Sequence, residues 1–437
     1  MRDSGRLAAA IEILDVFDAR RIPLKTALAD WGRQNRYAGA KDRAWISGLC
    51  LDVLRRRTTL AAWGGAETNR ARALACLNHL WKFDAAALGE IAAGEHGIGP
   101  LTEEEGARYT NDEHNADVSV VSAFDAPEWV EEPLRRAFQD GAFDELAALS
   151  ARAPVDLRLN TGAAPAEKTL AAIKTVKAKP HAFLKTAARI DAPDPSARAP
   201  AVTVIPAFNK GWVEVQDLGS QIAAAAAGSI AGAQVLDYCA GGGGKTLALA
   251  AMMGSTGQIH AYDIDARRLK PLYARAKRAG VRNLQIRSPI DGAAVLDDLI
   301  GRMDVVFVDA PCTGSGTWRR HPDAKWRLKP GQLARRQEEQ ASVLREASHY
   351  VKPGGRLVYV TCSVFKEENA DQVSAFRREN AGFEAVDGLQ QVLTSDLLTP
   401  DGEAALKDCI LDDGAMQLTP ARTGTDGFYV AVLRKVK

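Results

Sequence analysis

Short apolar strands alternate regularly with helical stretches from about Gly211 to the end of the chain. The sequence predicts strands at Gln234–Tyr238, Gln258–Tyr262, Leu284–Arg287, Asp304–Val308, Arg356–Thr361 and Phe428–Arg434. Helices are predicted between them at Thr246–Met253, Asp265–Ala279, Ala293–Gly301, Gln332–Val351 and Glu367–Asn380. This alternation is typical of a doubly wound, mostly parallel sheet with helices on both faces. Because ligands of such sheets bind beyond the carboxyl ends of the strands, residues that follow the strands are the candidates for a functional site.

Two further parts precede this α/β region. Residues 1 to about 95 have apolar positions at helical spacing, so we expect a helical domain over 1–125. Residues 126–210 are predicted to form a small α/β module, with strands at Val155–Asn160 and 201–206, and the third domain is 211–437. Cations outnumber acids between Arg152 and Lys210, which suits either an RNA-binding platform or a packing subdomain. The acidic segment over 90–145 indicates no function.

Composition limits the class of protein. Hydrophobic content of 46% and charged content of 25% are ordinary for a soluble protein. The formal net charge is +1, so contact with nucleic acid must depend on local basic patches. The six cysteines include no CxxC pair, which fits neither a zinc site nor a secreted disulfide framework. The cysteines therefore favour a reducing cytoplasm and no zinc site. We also expect a monomer without a metal, and no apolar run is long enough to cross a bilayer.

A run of four glycines follows the first strand of the α/β region, in VLDYCAGGGGKT. Glycines there let the backbone approach a ligand closely, and the next helix offers free N–H groups. A P-loop would need glycine five residues before Gly244, but Cys239 stands there. The second strand ends in AYDID, where the Asp263 carboxylate can accept hydrogen bonds from the hydroxyls of an adenosine ribose. NAD and S-adenosylmethionine both carry that ribose.

Two cysteines follow the fourth and fifth predicted strands. Cys312 lies in Asp309-Ala-Pro-Cys, and Cys362 lies in Thr361-Cys-Ser. An intracellular cysteine is most often a small buried hydrophobe, but two at neighbouring strand ends suggest chemistry. Hydride transfer needs no thiols, whereas methylation of cytosine carbon 5 does, because a thiolate added to carbon 6 makes carbon 5 nucleophilic. The second thiol can serve as a base when the adduct is resolved. The residues alone leave open which cysteine is the nucleophile and which is the base.

These motifs together resemble the RNA 5-methylcytosine methyltransferase family (Nol/Nop/Sun type), within it most closely the bacterial 16S ribosomal RNA enzymes of the B type. The resemblance is carried by VQDLGSQ, DYCAGGGGKT, AYDIDARRL, DAPCTGSG, RRHPDAKW, GGRLVYVTCSVFKEEN and DGFYVA. It implies a Rossmann-like class I methyltransferase domain that uses S-adenosylmethionine, preceded by a small RRM-like α/β module and an all-helical NusB-like RNA-binding domain. The implied substrate is RNA, with ribosomal RNA favoured.

The resemblance also implies roles for individual residues. Cys362 would be the nucleophile, Cys312 the base or release residue, Asp309 a hydrogen-bonding partner of the cytosine edge, and Lys245 a contact to the base or cofactor. The cofactor would be bound by Cys239, Ala240, Gly241, Gly242, Gly243, Gly244, Lys245, Asp263, Arg268, Asp291 and Asp309. The family commonly has Ala and Pro where Gly241 and Gly242 stand, so the loop here is more flexible.

Basic residues after the first cysteine motif are candidates for holding phosphates beside a flipped or single-stranded cytosine. They are Arg319, Arg320, His321, Lys325 and Arg327. An exposed basic loop without function is the alternative for this segment. For the whole chain, a tRNA methyltransferase, a catalytically idle RNA-binding or ribosome-assembly factor, and a methyltransferase of DNA or protein remain alternatives.

Overall fold

The structure is a computed structural model that describes residues 1–110, 125–194, 201–289 and 294–436. By their contacts these residues fall into two units. The first contains Met1–Arg152 and also a much later segment, Trp318–Leu328; the second contains Ala153–Asp191 and most of the chain beyond it. Residues 126–152 therefore group with the N-terminal helices, whereas the small α/β module and the large sheet share one unit.

The first unit is built from helices around one apolar core. Its helices from Met1 to Arg152 are α1 Asp3–Arg20, α2 Leu24–Gln34, α3 Ala40–Arg55, α4 Arg57–Gly64, α5 Asn69–Ala75, α6 Ala85–Ala93, α7 Glu103–Thr110, α8 Glu131–Phe138 and α9 Ala142–Ser150. Apolar residues three and four apart in α1, namely Leu7, Ala10, Leu14 and Phe17, are fully buried, as helical spacing requires. The rings of Trp45 and Trp81 meet edge to face at 5.1 Å in this core.

A small antiparallel sheet opens the second unit. Its strands are β1 Val155–Leu159, β2 Lys179–Pro180, β3 Ala187–Ile190 and β4 Val213–Val215, in the order β2-β3-β1-β4, with helices α10 Ala166–Ile173 and α11 Pro206–Asn209. The strand predicted over 201–206 is wrong. Val202–Val204 form a 3₁₀ turn, and Pro206, which has no N–H for a ladder, begins α11 instead.

The large sheet confirms the predicted α/β architecture. Its strands are β5 Gln234–Asp237, β6 Gln258–Tyr262, β7 Leu284–Arg287, β8 Met303–Asp309, β9 Val351–Thr361, β10 Phe383–Val386, β11 Met416–Leu418 and β12 Phe428–Lys435. The order is β10-β12-β9-β8-β5-β6-β7, with β11 paired to β12. The strands from β9 to β7 run parallel, whereas β12 is antiparallel to both of its neighbours in that order. The apolar run 305–308 in β8 is fully buried because helices cover both faces.

The remaining helices connect and flank these strands. They are α12 Leu218–Ala225, α13 Gly244–Met252, α14 Ala266–Ala279, α15 Pro322–Arg327, α16 Pro330–Ser348, α17 Ala370–Glu379, α18 Gly388–Leu393, α19 Pro400–Lys407 and α20 Pro420–Thr423. Of these, α15 belongs to the first unit. The helix predicted over 293–301 is wrong in its described part, where a 3₁₀ turn at Asp297–Leu299 suffices to bury Leu296 and Leu299. Among the helices of the described ranges, none has the length and apolar character that spanning a membrane requires.

Candidate active site

The two cysteines singled out from the sequence lie side by side at one edge of the large sheet. Strands β8 and β9 are parallel, with Asp309 opposite Val360, so both strands end at the same level. The chain then places the Sγ atoms of Cys312 and Cys362 3.4 Å apart, each partly buried. Two thiols at this distance can share a proton and can both face one small substrate.

The surroundings distinguish the two thiols. The hydrogen bond with Cys362, burial, and the negative charge of Glu368 all raise the pKa of Cys312 well above its ordinary value. The geometry allows either sulfur to donate the hydrogen bond between them, and a protonated Cys312 that donates it leaves Cys362 as the acceptor.

An acid and a base stand beside the thiols. Asp309, the last residue of β8, accepts a 2.8 Å hydrogen bond from Nζ of Lys245 in the first turn of α13. Burial by itself lowers the pKa of Lys245, but the Asp309 carboxylate outweighs burial and raises it. Nζ also lies 5.0 Å from the ring centre of Phe428. Lys245 is thus a fixed positive charge, and its side chain joins the glycine loop to the cysteine edge.

The glycine loop, residues 239–245, is a tight turn between β5 and α13. The N–H of Gly243 donates to the carbonyl of Ala240 at 2.9 Å, and Gly241 and Gly243 have φ of +49° and +83°. A Cβ on residue 243 would lie 2.2 Å from Cδ1 of Leu272. Glycine at 243 is therefore required both by backbone conformation and by the approach of α14.

Asp263 fixes the open side of this loop. Its carboxylate is 1% exposed and accepts N–H groups from Gly241 and Asp265, each at 3.0 Å, while Nη1 of Arg268 lies 3.0 Å from Oδ2. Hydrogen bonds occupy two of about four lone-pair positions and the Arg268 ion pair covers a third, so one ribose hydroxyl can be accepted as the structure stands. The Arg268 side chain is 56% exposed and can withdraw, which would free a second position. A buried carboxylate beside a glycine cradle fits an adenosine-containing cofactor.

The structure corrects the prediction that Arg319 and Lys325 hold phosphates. Both lie in Trp318–Leu328, the segment that belongs to the helical first unit, and both are buried. Lys325 is 1% exposed, and its Nζ donates to the carbonyl of Arg55 at 3.0 Å and to Oγ of Ser150 at 3.2 Å. Burial lowers the pKa of Lys325 to about 7. A buried ammonium whose donors are used inside the protein cannot contact an RNA backbone.

The other predicted residues have different outcomes. His321 is exposed, Arg320 and Arg327 are partly exposed, and Arg327 forms a 3.2 Å ion pair with Asp323, so their contact with RNA stays a prediction. Asp291 lies outside the described residues. Within the described ranges, no group of three or more His, Cys, Asp or Glu side chains is arranged to hold a metal ion.

Sequence reasoning missed three residues of the site. Asp237 at the end of β5 is fully buried; burial raises its pKa to about 7, although the hydroxyl of Thr246 donates to it at 2.6 Å. Arg275, on α14, donates to the carbonyl of Gly242 at 2.6 Å. Glu368 is buried behind both cysteines and is bonded to the loops that carry them. Its place in FKEEN was visible, but nothing in the sequence separated it from neighbouring acids.

Several curated proteins that share one name are similar to this chain. A protein of Photorhabdus laumondii subsp. laumondii, named ribosomal RNA small subunit methyltransferase B, is 31% identical over 315 residues, which cover 71% of this chain and 66% of that protein. Proteins of the same name from Klebsiella pneumoniae and Salmonella newport are 31% and 33% identical, with the same coverage. The matched residues thus span just under two thirds of the length of these relatives.

Solved structures share the fold. The crystal structure of PH0851 has a TM-score of 0.70 at 22% identity and covers 100% of this chain and 99% of that chain. NSun6 from Pyrococcus horikoshii, solved with SFG, has a TM-score of 0.59 at 20% identity and covers 71% of this chain and 98% of that chain. Residues 229–434, which contain the glycine loop and both cysteines, match the family model described as 16S rRNA methyltransferase RsmB/F. Over this stretch the chain matches the RsmB/F methyltransferase family, and the curated relatives above carry the name of a ribosomal RNA methyltransferase.

Proposed function

We propose that this protein is an S-adenosylmethionine-dependent RNA methyltransferase that forms 5-methylcytosine, with 16S ribosomal RNA as its substrate. The observation that carries the proposal is the pair of thiols, 3.4 Å apart, beside the Lys245–Asp309 ion pair. The names of the relatives, which are ribosomal RNA methyltransferases, support RNA as the substrate class.

The chemistry needs a nucleophile, a partner for the base edge and a proton acceptor. Cys362 adds to carbon 6 of cytosine, which makes carbon 5 nucleophilic. Asp309 holds the cytosine edge and favours its protonated adduct, and Lys245 keeps that carboxylate in place. Cys312 assists removal of the carbon-5 proton, which lets the Cys362 sulfur leave. The proton that Cys312 carries at rest goes to solvent, and the resulting thiolate, a strong base because the pKa of this thiol is raised, takes the carbon-5 proton. The electron pair of that carbon–hydrogen bond re-forms the double bond between carbons 5 and 6, and the Cys362 sulfur leaves as a thiolate.

The cofactor belongs in the glycine loop. When bound, S-adenosylmethionine supplies an electrophilic methyl group. Residues 239–245 offer close backbone contact, and Asp263 offers an acceptor for the ribose hydroxyls. Arg268 controls how many acceptor positions of Asp263 are free. Asp309, at the neighbouring strand end, lies where a group can touch both base and cofactor.

The parts before the catalytic domain bear on RNA binding. The sheet order β2-β3-β1-β4 supports a likeness to RRM modules, and the helices of the first unit support a likeness to NusB-type domains. We assign both an RNA-binding role, with His321, Arg320 and Arg327 as candidate phosphate contacts. The target cytosine must leave its stack to reach two thiols in one pocket, so a single-stranded or flipped base is required.

The test uses labelled S-adenosylmethionine and two cysteine variants. We expect methyl transfer to 16S ribosomal RNA at carbon 5 of cytosine, and none to tRNA, DNA or protein extract. Cys312→Ala should accumulate a covalent protein–RNA adduct that survives denaturing electrophoresis, because the Cys362 sulfur cannot be released. Cys362→Ala should form no adduct, and Cys409→Ala, which removes another buried thiol, should behave as the wild type.

Each alternative predicts a different result. Transfer to tRNA alone would identify a tRNA enzyme, and transfer to DNA or protein would reject RNA as the substrate. Specific RNA binding without any transfer would indicate an idle assembly factor. If Cys362→Ala accumulates the adduct and Cys312→Ala does not, the roles of the two cysteines are reversed.

A further inference from the structure

Glu368 is a fully buried carboxylate with no assigned role. It lies in the 3₁₀ turn Lys366–Glu368, just before α17. Burial raises its pKa, whereas hydrogen bonds to Ser363 and Thr313 act to lower it. Burying a carboxylate costs free energy unless hydrogen-bond donors surround it, so the donors around Glu368 indicate its structural role.

The donors come from both cysteine loops. Oε1 accepts the backbone N–H of Thr313 at 2.7 Å, and Oε2 accepts the hydroxyl groups of Thr313 and Ser363. Thr313 directly follows Cys312, and Ser363 directly follows Cys362. One carboxylate therefore ties the residue after each thiol to the same point.

The rest of the network keeps that point fixed. Nε2 of Gln340, on α16, donates to Oε1 of Glu368 at 3.1 Å and also to the carbonyl of Pro311 at 2.9 Å, one residue before Cys312. The hydroxyl of Tyr359 donates to the backbone carbonyl of Glu368 at 2.7 Å. The side chain and the backbone of Glu368 are thus both held from the strand and helix behind the site.

The geometry points to Glu368 as a positioning residue that sets the distance between the Cys312 and Cys362 sulfurs. It touches neither sulfur in the network described above, and it acts through Thr313 and Ser363. Its importance for methyl transfer rests on the proposed function. The effect of Glu368 on the spacing of the two thiols does not depend on the proposed function, so it can be measured independently.

Two substitutions separate reach from charge. Glu368→Asp keeps the charge but shortens the side chain by one methylene, so the carboxylate cannot reach both loops. Glu368→Gln keeps the length and removes the charge; its oxygen retains the Thr313 N–H bond, and its amide can donate to the two hydroxyls, which can turn to accept. Glu338→Asp, at an exposed position on the same helix as Gln340, is the matched control.

The thiol spacing is measured by equilibrium with glutathione. Oxidised glutathione converts the two protein thiols into a disulfide and is reduced to two molecules of glutathione, so the equilibrium constant gives the effective concentration of one thiol at the other. Peptide mapping after alkylation confines the measurement to Cys312 and Cys362. We expect an effective concentration about tenfold lower in Glu368→Asp, within about threefold of wild type in Glu368→Gln, and unchanged in Glu338→Asp.

Methyl transfer provides the second readout. We expect kcat to fall about 10- to 100-fold in Glu368→Asp, as for a misplacement of about 1 Å, with KM for cofactor and RNA within about twofold. Glu368→Gln should stay within about threefold of wild type in kcat. Suppose that Glu368→Gln lowers both the effective thiol concentration and kcat, while Glu368→Asp lowers neither. The charge of Glu368 and not the length of its side chain is then what matters, and the proposal fails. It also fails if Asp leaves the thiol equilibrium unchanged. If no variant, wild type included, methylates RNA, the proposed function fails, and the glutathione equilibrium still decides the role of Glu368.

Discussion

Gly243→Ala is the substitution for which the structure predicts the clearest local cost. The residue has φ of +83°, where an L side chain is strained by about 1–2 kcal/mol. Its new Cβ would also lie 2.2 Å from Cδ1 of Leu272, and such overpacking costs about 1–3 kcal/mol. Alanine restricts the unfolded chain, which returns about 0.4–1 kcal/mol. The net expectation is a loss of about 1–5 kcal/mol.

The loss can be divided between stability and cofactor binding. If the loop keeps its conformation, the free energy of unfolding falls; if the loop shifts to relieve the overlap, the affinity for S-adenosylmethionine falls, tenfold for each 1.4 kcal/mol. Urea denaturation measures the first quantity and titration calorimetry with S-adenosylmethionine measures the second. We expect their sum to lie in the range of about 1–5 kcal/mol given by the strain and overlap costs less the unfolded-chain effect.

Two variants serve as controls. Gly242→Ala is one residue away, has no positive φ, and its Cβ would come no closer than 3.6 Å to Nη1 of Arg275, so we expect neutrality or slight stabilisation. In the double variant with Leu272→Ala the overlap is gone, and the two substitutions should cost about 1–3 kcal/mol less together than the sum of the single effects. Equal behaviour of Gly243→Ala and Gly242→Ala would refute the reasoning.

Three other substitutions test the electrostatics. In the wild type, the pKa of Asp237 is raised to about 7 from 3.8, which makes the free energy of unfolding fall as pH rises from about 4 to 7. Asp237→Asn should remove that slope, with a relative gain of up to about 4 kcal/mol at pH 8. Denaturation at a series of pH values measures the effect. The lowered pKa of Lys325, about 7 against 10.5, acts in the opposite sense, because the unfolded chain binds the extra proton. Wild-type stability should therefore rise between about pH 7 and 10, and Lys325→Met should flatten that rise. Arg268→Ala frees an acceptor position on Asp263, so calorimetry should show S-adenosylmethionine bound about two- to fivefold more tightly; weaker binding would make Arg268 a direct cofactor contact.

The strands of the large sheet could be predicted because a buried strand can be recognised from its own few residues. A parallel strand covered on both faces must be a short run of β-forming apolar residues, as 305–308 are, and turn residues bound it. The same pattern also placed both cysteines at one edge, because parallel strands end together. Elements with fewer constraints were misassigned. In the described parts of 201–206 and 293–301, short 3₁₀ turns are enough to bury Val202, Ile205, Leu296 and Leu299, whereas Val204 and Ile300 stay exposed.

Residues whose partners are distant in sequence could not be predicted. Lys325 looked like a phosphate contact because its neighbours are basic, yet its donors are satisfied by Arg55 and Ser150. Glu368 accepts hydrogen bonds from three separate segments, and no local sequence pattern predicts that these segments come together. Sequence shows which chemistry is available, whereas long-range packing decides which side chains remain free to perform it.

The Trp318–Leu328 segment has a consequence for how the protein is made. Nε1 of Trp326 donates to the carbonyl of Leu54 at 2.6 Å across 272 residues of sequence, within the first unit. At about 5–20 residues per second, the ribosome needs on the order of 10–50 s to make that stretch of chain. During this interval the N-terminal helices lack their last piece, and the surface that Trp326 covers stays open. Completion of the first unit is therefore timed by synthesis of the chain that carries Cys312, so nascent chains released before Leu328 should be the ones that depend on chaperones.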